Sequence, residues 1–105
     1  MPKYLYAYHG GGSMAGQSKA EQDKVMQAWI GWFGQLGSAV VDGGNPVGKS
    51  ATVKNGSILE NGGANPVSGY SIIEAKSVED AVAKAKNCPI LAAGGSVEVA
   101  EVFPM

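Results

Sequence analysis

Two helix starts constrain this chain more than any other feature. Ser18-Lys19-Ala20-Glu21 and Ser77-Val78-Glu79-Asp80 both read as capping boxes. After the first, Val25, Trp29, Trp32, Phe33 and Leu36 follow at helical spacing until Gly37 stops the run. Some 18 residues would span about 27 Å. Gly31 and Gly34 inside it cost about 1 kcal/mol each relative to alanine, or mark the close approach of another backbone. The second helix carries Val78, Ala81, Val82 and Ala85, and it must end by Cys88 because Pro89 cannot continue it.

Strands are expected around these helices. Lys3 to His9 is the first, with Tyr4, Tyr6 and Tyr8 on one side and Leu5 and Ala7 on the other. Residues 38–42 follow the first helix. Residues 50–54 and 57–60 flank Asn55-Gly56, the strongest short hairpin signal. Residues 69–75 and 97–102 complete the set.

The order strand, helix, strand, hairpin, strand, helix, strand over residues 1–105 predicts one α+β domain. Its class is a ferredoxin-like βαββαβ sandwich with an inserted β-hairpin. Both helices must then cover one face of the sheet. The other face is expected to carry apolar groups from several strands, the tyrosines included, and to be covered by a second copy in a dimeric α+β barrel. A homodimer through this open face is therefore the expected partner.

Residues 43–50 contain Gly43-x-x-x-x-Gly48-Lys49-Ser50, a full match to the phosphate-binding loop pattern. That loop works only where a helix begins at the Lys-Ser. Here Ala51-Thr52-Val53-Lys54 and Asn55-Gly56 follow, so Lys49 and Ser50 open a strand, and Pro46 removes one amide donor. A glycine-rich connection is expected, with Lys49 in solvent. "GGNPVG" (43–48) recurs as "GGANPVSG" (62–69), bracketing the hairpin. The two copies are either similar turns or two loops rimming one pocket.

Charge and composition narrow the partners. A net charge of −1 with no basic excess argues against duplex nucleic acid. No apolar run reaches the ~20 residues of a membrane span, and no basic-then-apolar leader is seen, so no membrane partner is expected. A single cysteine rules out an internal disulfide and points to a reducing, cytoplasmic setting. With one histidine as well, neither a metal nor another cofactor is expected.

The last third, "GYSIIEAKSVEDAVAKAKNCPILAAGGSVEVAEVFPM", resembles the C-terminal half of the YCII-related (DGPF) family. The matching positions are Gly69, Tyr70, Glu74 and Ala75; Ser77, Glu79, Asp80 and Ala81; Cys88 and Pro89; and Gly95 through Val99. Trp29 and Trp32 sit in a helix like that family's first. The resemblance implies a dimeric ferredoxin-like barrel. In some members it also implies a histidine paired with an aspartate, and lyase-like chemistry on small organic acids or halogenated compounds. This chain departs from the family pattern: "ENGGANPVSGY" stands where Asp-Gly-Pro-Phe would be, the first helix has no histidine, and the second helix ends in Asn87-Cys88-Pro89-Ile90.

His9 is the only histidine and is therefore the candidate catalytic acid or base. Gly10, Gly11, Gly12 and Ser13 follow it, and glycines let a ligand approach the backbone. A pocket is expected at His9, walled by Tyr6 or Tyr8 and part of the 10–13 loop, with Gly10, Ser13 and Glu98 as ligand contacts. An anion or small polar molecule is the expected occupant. Asp42 reads as a turn residue, and His9 is expected nearer Ser38 than Asp42. Glu98 and Glu101 lie on opposite faces of the last strand, so one can point into the barrel. Cys88 reads as a small buried group. Two functions remain: a homodimeric domain that binds a small organic ligand, or a lyase or isomerase acting on a small organic acid with His9 as acid and base.

Overall fold

The computed structural model describes residues 1–11, 17–60 and 65–104. Its elements are β1 (Lys3–His9), α1 (Lys19–Leu36), a 3-10 turn (Gly37–Ala39), β2 (Val40–Asp42), β3 (Ala51–Lys54), β4 (Ser57–Glu60), β5 (Val67–Glu74), α2 (Val78–Ala85), α3 (Pro89–Ala92) and β6 (Ser96–Val102). They form an α+β fold with a four-stranded antiparallel sheet in the order β2-β5-β1-β6 and a separate two-stranded sheet, β3-β4. Among the described residues no helix is long and apolar enough to cross a membrane.

Both helix starts form where the capping boxes place them. The Ser18 hydroxyl oxygen accepts from the Glu21 amide at 3.1 Å, and that of Ser77 accepts from the Asp80 amide at 3.2 Å. The Asp80 carboxylate reaches back to the Lys76 amide at 3.0 Å. α2 ends at Ala85, before the proline is reached, and Pro89 starts α3. It sits in the first turn of α3, where its missing N–H would have had no intrahelical partner.

The tyrosines lie on the covered face of the sheet, the reverse of the sequence expectation. Tyr4, Tyr6 and Tyr8 are buried, as are Ser71 and Ile73 beside them on β5. Tyr6 stacks on Trp32 with ring centroids 6.0 Å apart, and Tyr8 meets Trp29 edge-on at 5.1 Å. The physical reason is volume and polarity together. α2 presents only Ala81 and Ala85 to the core, so long side chains from the sheet must fill the gap. Each deep phenol also needs an acceptor when buried. Tyr6 donates to the Ala81 carbonyl. Tyr8 donates to Ser71 Oγ at 2.8 Å, which donates on to the Gly43 carbonyl at 2.7 Å. Trp32 Nε1 donates to the Lys84 carbonyl at 3.2 Å and joins the two helices.

Among the described residues no helix covers the opposite face. Its register rows run Glu74–Lys3–Val102, Ile72–Leu5–Ala100 and Tyr70–Ala7–Glu98, ending with His9 beside Ser96. Leu5, Ala7, Tyr70 and Ile72 are half-buried, while Ala100 and Val102 are exposed. The molecule measures 42 × 38 × 18 Å, the thickness of two layers.

β1 and β2 flank β5 and run antiparallel to it, so they run the same way as each other. Val40 pairs with Ile73, the partner of Tyr4, so the start of β2 lies at the start of β1. Ser38 is therefore at the far end from His9, contrary to the sequence expectation. The chain beyond β2 reaches His9's end instead, where Pro46 bridges Gly69, the partner of Tyr8. Asp42 pairs with Ile72, level with Leu5, and its carboxylate accepts from the Gly44 amide at 2.8 Å as a turn residue.

Candidate functional site

His9 is the last residue of β1. Strand alternation turns it away from Tyr8 and onto the open face with Leu5 and Ala7. Tyr6 and Tyr8 therefore do not wall a site at His9. They lie on the other side of the sheet with their hydroxyls already bonded. Burial pushes the Tyr6 phenol up to about 12 and the Tyr8 phenol higher still, which keeps both neutral. This corrects their assignment as ligand contacts.

Glu98 does meet His9. It sits opposite Ala7 on the neighbouring strand, one diagonal step from His9, and its Oε1 lies 3.3 Å from His9 Nε2. The other ring nitrogen, Nδ1, is 3.1 Å from the Asn65 carbonyl oxygen. A carbonyl can only accept, so Nδ1 carries a proton and Nε2 is the edge left to face Glu98. Nε2 is itself shielded from solvent, and it makes an ion-pair distance to the carboxylate without an aligned hydrogen bond among the described residues. The His9 side chain is only 14% exposed, whereas that of Glu98 is 72% exposed. The pair thus joins a buried imidazole to a solvated carboxylate.

The surroundings are tightly built. A Cβ on Gly95 would lie 2.5 Å from the His9 carbonyl oxygen and 2.8 Å from the Gly11 nitrogen. Gly10 and Gly11 leave β1 at φ 72° and 86°. These glycines let the two chain segments pass each other beside His9. Ser13, expected as a ligand contact, and Gly12 lie outside the described residues. Ser68, the bulge residue beside Val67 across from His9, has a buried hydroxyl with no hydrogen-bond partner among the described residues. Sequence alone gave no signal for Asn65 or Ser68, because both depend on where the chain returns from the β3-β4 hairpin.

Glu101 pairs with Tyr4 on the helix side and is exposed. Lys49 is exposed in a bend, and the next element is the strand β3. The phosphate-loop pattern therefore lacks its helix. Cys88 is buried, and burial pushes its thiol up to about 11. An open recess of about 190 Å³ lies at the other end of the sheet, against Leu36, Ser38, Glu74, Lys76, Asp80 and Lys84. It is smaller than the roughly 300 Å³ at which ligand pockets begin. Lys84 and Asp80 there are already paired at 3.1 Å. Among the described residues no three His, Cys, Asp or Glu side chains gather as a metal site.

No protein-family model matches the chain, and a search of curated proteins finds no significant match.

Proposed function

We propose that this chain is a ferredoxin-like, homodimeric domain of the YCII-related kind that binds a small organic molecule at the His9–Glu98 end of its open sheet face. The strand order β2-β5-β1-β6 supports the fold assignment, since it is the order of a βαββαβ sandwich with the β3-β4 hairpin inserted. The half-buried apolar rows around Leu5 and Ile72 support a second copy over that face. The observation that carries the site is the His9–Glu98 contact, held from behind by Asn65. An exposed carboxylate beside the ring disfavours a bare anion. The ligand is instead a polar molecule with donors for the Glu98 carboxylate and for His9 Nε2, and Gly10 lies close enough in sequence to contribute backbone.

A second reading is favoured by one detail. A histidine whose Nδ1–H is fixed by a carbonyl holds Nε2 in a defined orientation, and displacement of the exposed Glu98 side chain by a substrate would open that nitrogen for proton transfer. The domain would then be a lyase or isomerase acting on a small organic acid, with His9 moving the proton.

A thermal-shift and NMR screen of small hydroxy acids, alcohols and amides tests both. A hit that moves the His9 ring signals and is lost in His9→Ala and weakened in Glu98→Gln supports the site. A hit indifferent to both substitutions overturns it. Turnover of the hit separates the enzyme from the binding domain.

A further inference from the structure

Among the described residues the β3-β4 hairpin has no extensive packing partner outside itself. All residues of both strands are exposed, and the strands pair chiefly with each other. Val53 and Ile58 face each other across the ladder at 81% and 66% exposure, and Leu59 is exposed as well. An isolated two-stranded hairpin is at best marginally stable in water. The Val53–Ile58 cross-strand pair adds at most about 1 kcal/mol while most of its surface stays in solvent.

Its root is firmly held. Pro46 bridges Gly69, the Val47 amide donates to the Ser68 carbonyl at 3.0 Å, and the Tyr70 amide donates to the Asn45 carbonyl at 3.2 Å. Asn65, on the returning limb, bonds His9. The hairpin is thus an arm anchored at the sheet end that carries His9 and Glu98.

The protomer also exposes too much surface. A compact monomer of 10.7 kDa exposes about 5,500 Å², whereas this one exposes 6992 Å². Its radius of gyration is 14.7 Å, against about 13 Å for a compact chain of this length. The excess of about 1,500 Å² leaves room for the roughly 800 Å² per partner that a standard interface buries. A second copy of this chain is the occupant, because the arm continues the open sheet face over which a second copy is already proposed.

We propose that the β3-β4 hairpin is a dimer arm that lies against a second copy of this chain through Val53 and Ile58. This rests on the dimer proposed above and adds to it a contact that the sheet faces do not make. Docking of the arm holds Asn65 in place and so brings the partner's surface beside His9.

The test combines sedimentation with amide hydrogen exchange of the whole chain. In the dimer, amides of 51–60 should exchange at least about tenfold slower than in protein diluted to monomer. Val53→Lys with Ile58→Lys should raise the dimer dissociation constant by at least about tenfold while leaving the monomer's melting temperature unchanged. A dimer whose arm exchanges at the monomer's rate, or whose affinity ignores the double substitution, overturns the arm alone. A mass that stays monomeric at every concentration overturns the dimer as well. Ile72→Glu on the sheet face separates the two further: if it leaves the dimer intact while the arm variant dissociates it, the arm stands and the sheet contact falls.

Discussion

The hydroxyl of Tyr6 donates to the carbonyl of Ala81 and ties the middle of β1 to α2. A charged residue at Tyr6 would therefore unfold the protomer rather than dissociate a dimer. Tyr6→Phe should cost about 1 kcal/mol. Burial, then Cys88, then Asp80 push the phenol from 10.0 up to about 12. A raised folded value gives stability that is complete below the unfolded value and is lost as pH rises through the folded one. Stability should thus decline between about pH 10 and 12, and urea melts of Tyr6→Phe should show a shallower decline over the accessible part of that window.

Glycines 44, 31 and 34 should respond in opposite directions. Gly44 has φ 72°, and a Cβ there would lie 1.8 Å from the Tyr70 carbonyl oxygen. Gly44→Ala should destabilise by about 2–4 kcal/mol. Among the described residues nothing lies within 4 Å of a Cβ added at Gly31 or Gly34. Alanine at either should stabilise α1 by up to about 1 kcal/mol in chemical denaturation. A loss there would mean that another surface covers this side of the helix.

Asp80 should govern part of the acid limb. The Lys76 amide and the Lys84 ammonium hold its carboxyl below the usual carboxylate range. A lowered folded value gives stability that is present above the unfolded value and is lost as pH falls through the folded one. Asp80→Asn should therefore destabilise at neutral pH and flatten the loss of melting temperature below about pH 4.

Cys88 should be inert in the native chain. With the thiol pushed up to about 11 and 3% of the residue exposed, alkylation by iodoacetamide at pH 8 should be slow until urea unfolds the protein. Rapid native labelling would mean that the α2–α3 corner opens.

Lys49 should not hold a nucleotide. Calorimetry with Mg-ATP should show no heat of binding, and Lys49→Ala should leave stability within about 0.5 kcal/mol of the wild type. Sub-millimolar binding lost in that variant would restore the phosphate loop.

Local chemistry made most elements legible. Ser18 and Ser77 mark both helix starts, and Gly37 and Asn55-Gly56 mark a stop and a turn, because each acts over a few residues. The choice of sheet face was not local. Alternation separates Tyr4, Tyr6 and Tyr8 from Leu5 and Ala7, but which set meets the helices depends on Ala81 and Ala85, some 75 residues away, leaving a gap only phenols fill. His9 and Glu98 were both legible as candidates, and the register brings them together. Asn65 was not, since its carbonyl reaches His9 only through the path of the arm.

Both tryptophans ride on α1, 5.7 Å apart, in one aromatic cluster with Tyr8 and Phe33. The chain therefore carries an optical probe confined to one layer. Indole emission reports when α1 leaves the sheet and is silent about the arm, which holds no aromatic residue between Ala51 and Glu60. Fluorescence and amide exchange followed side by side would separate two melting events in a chain of 105 residues.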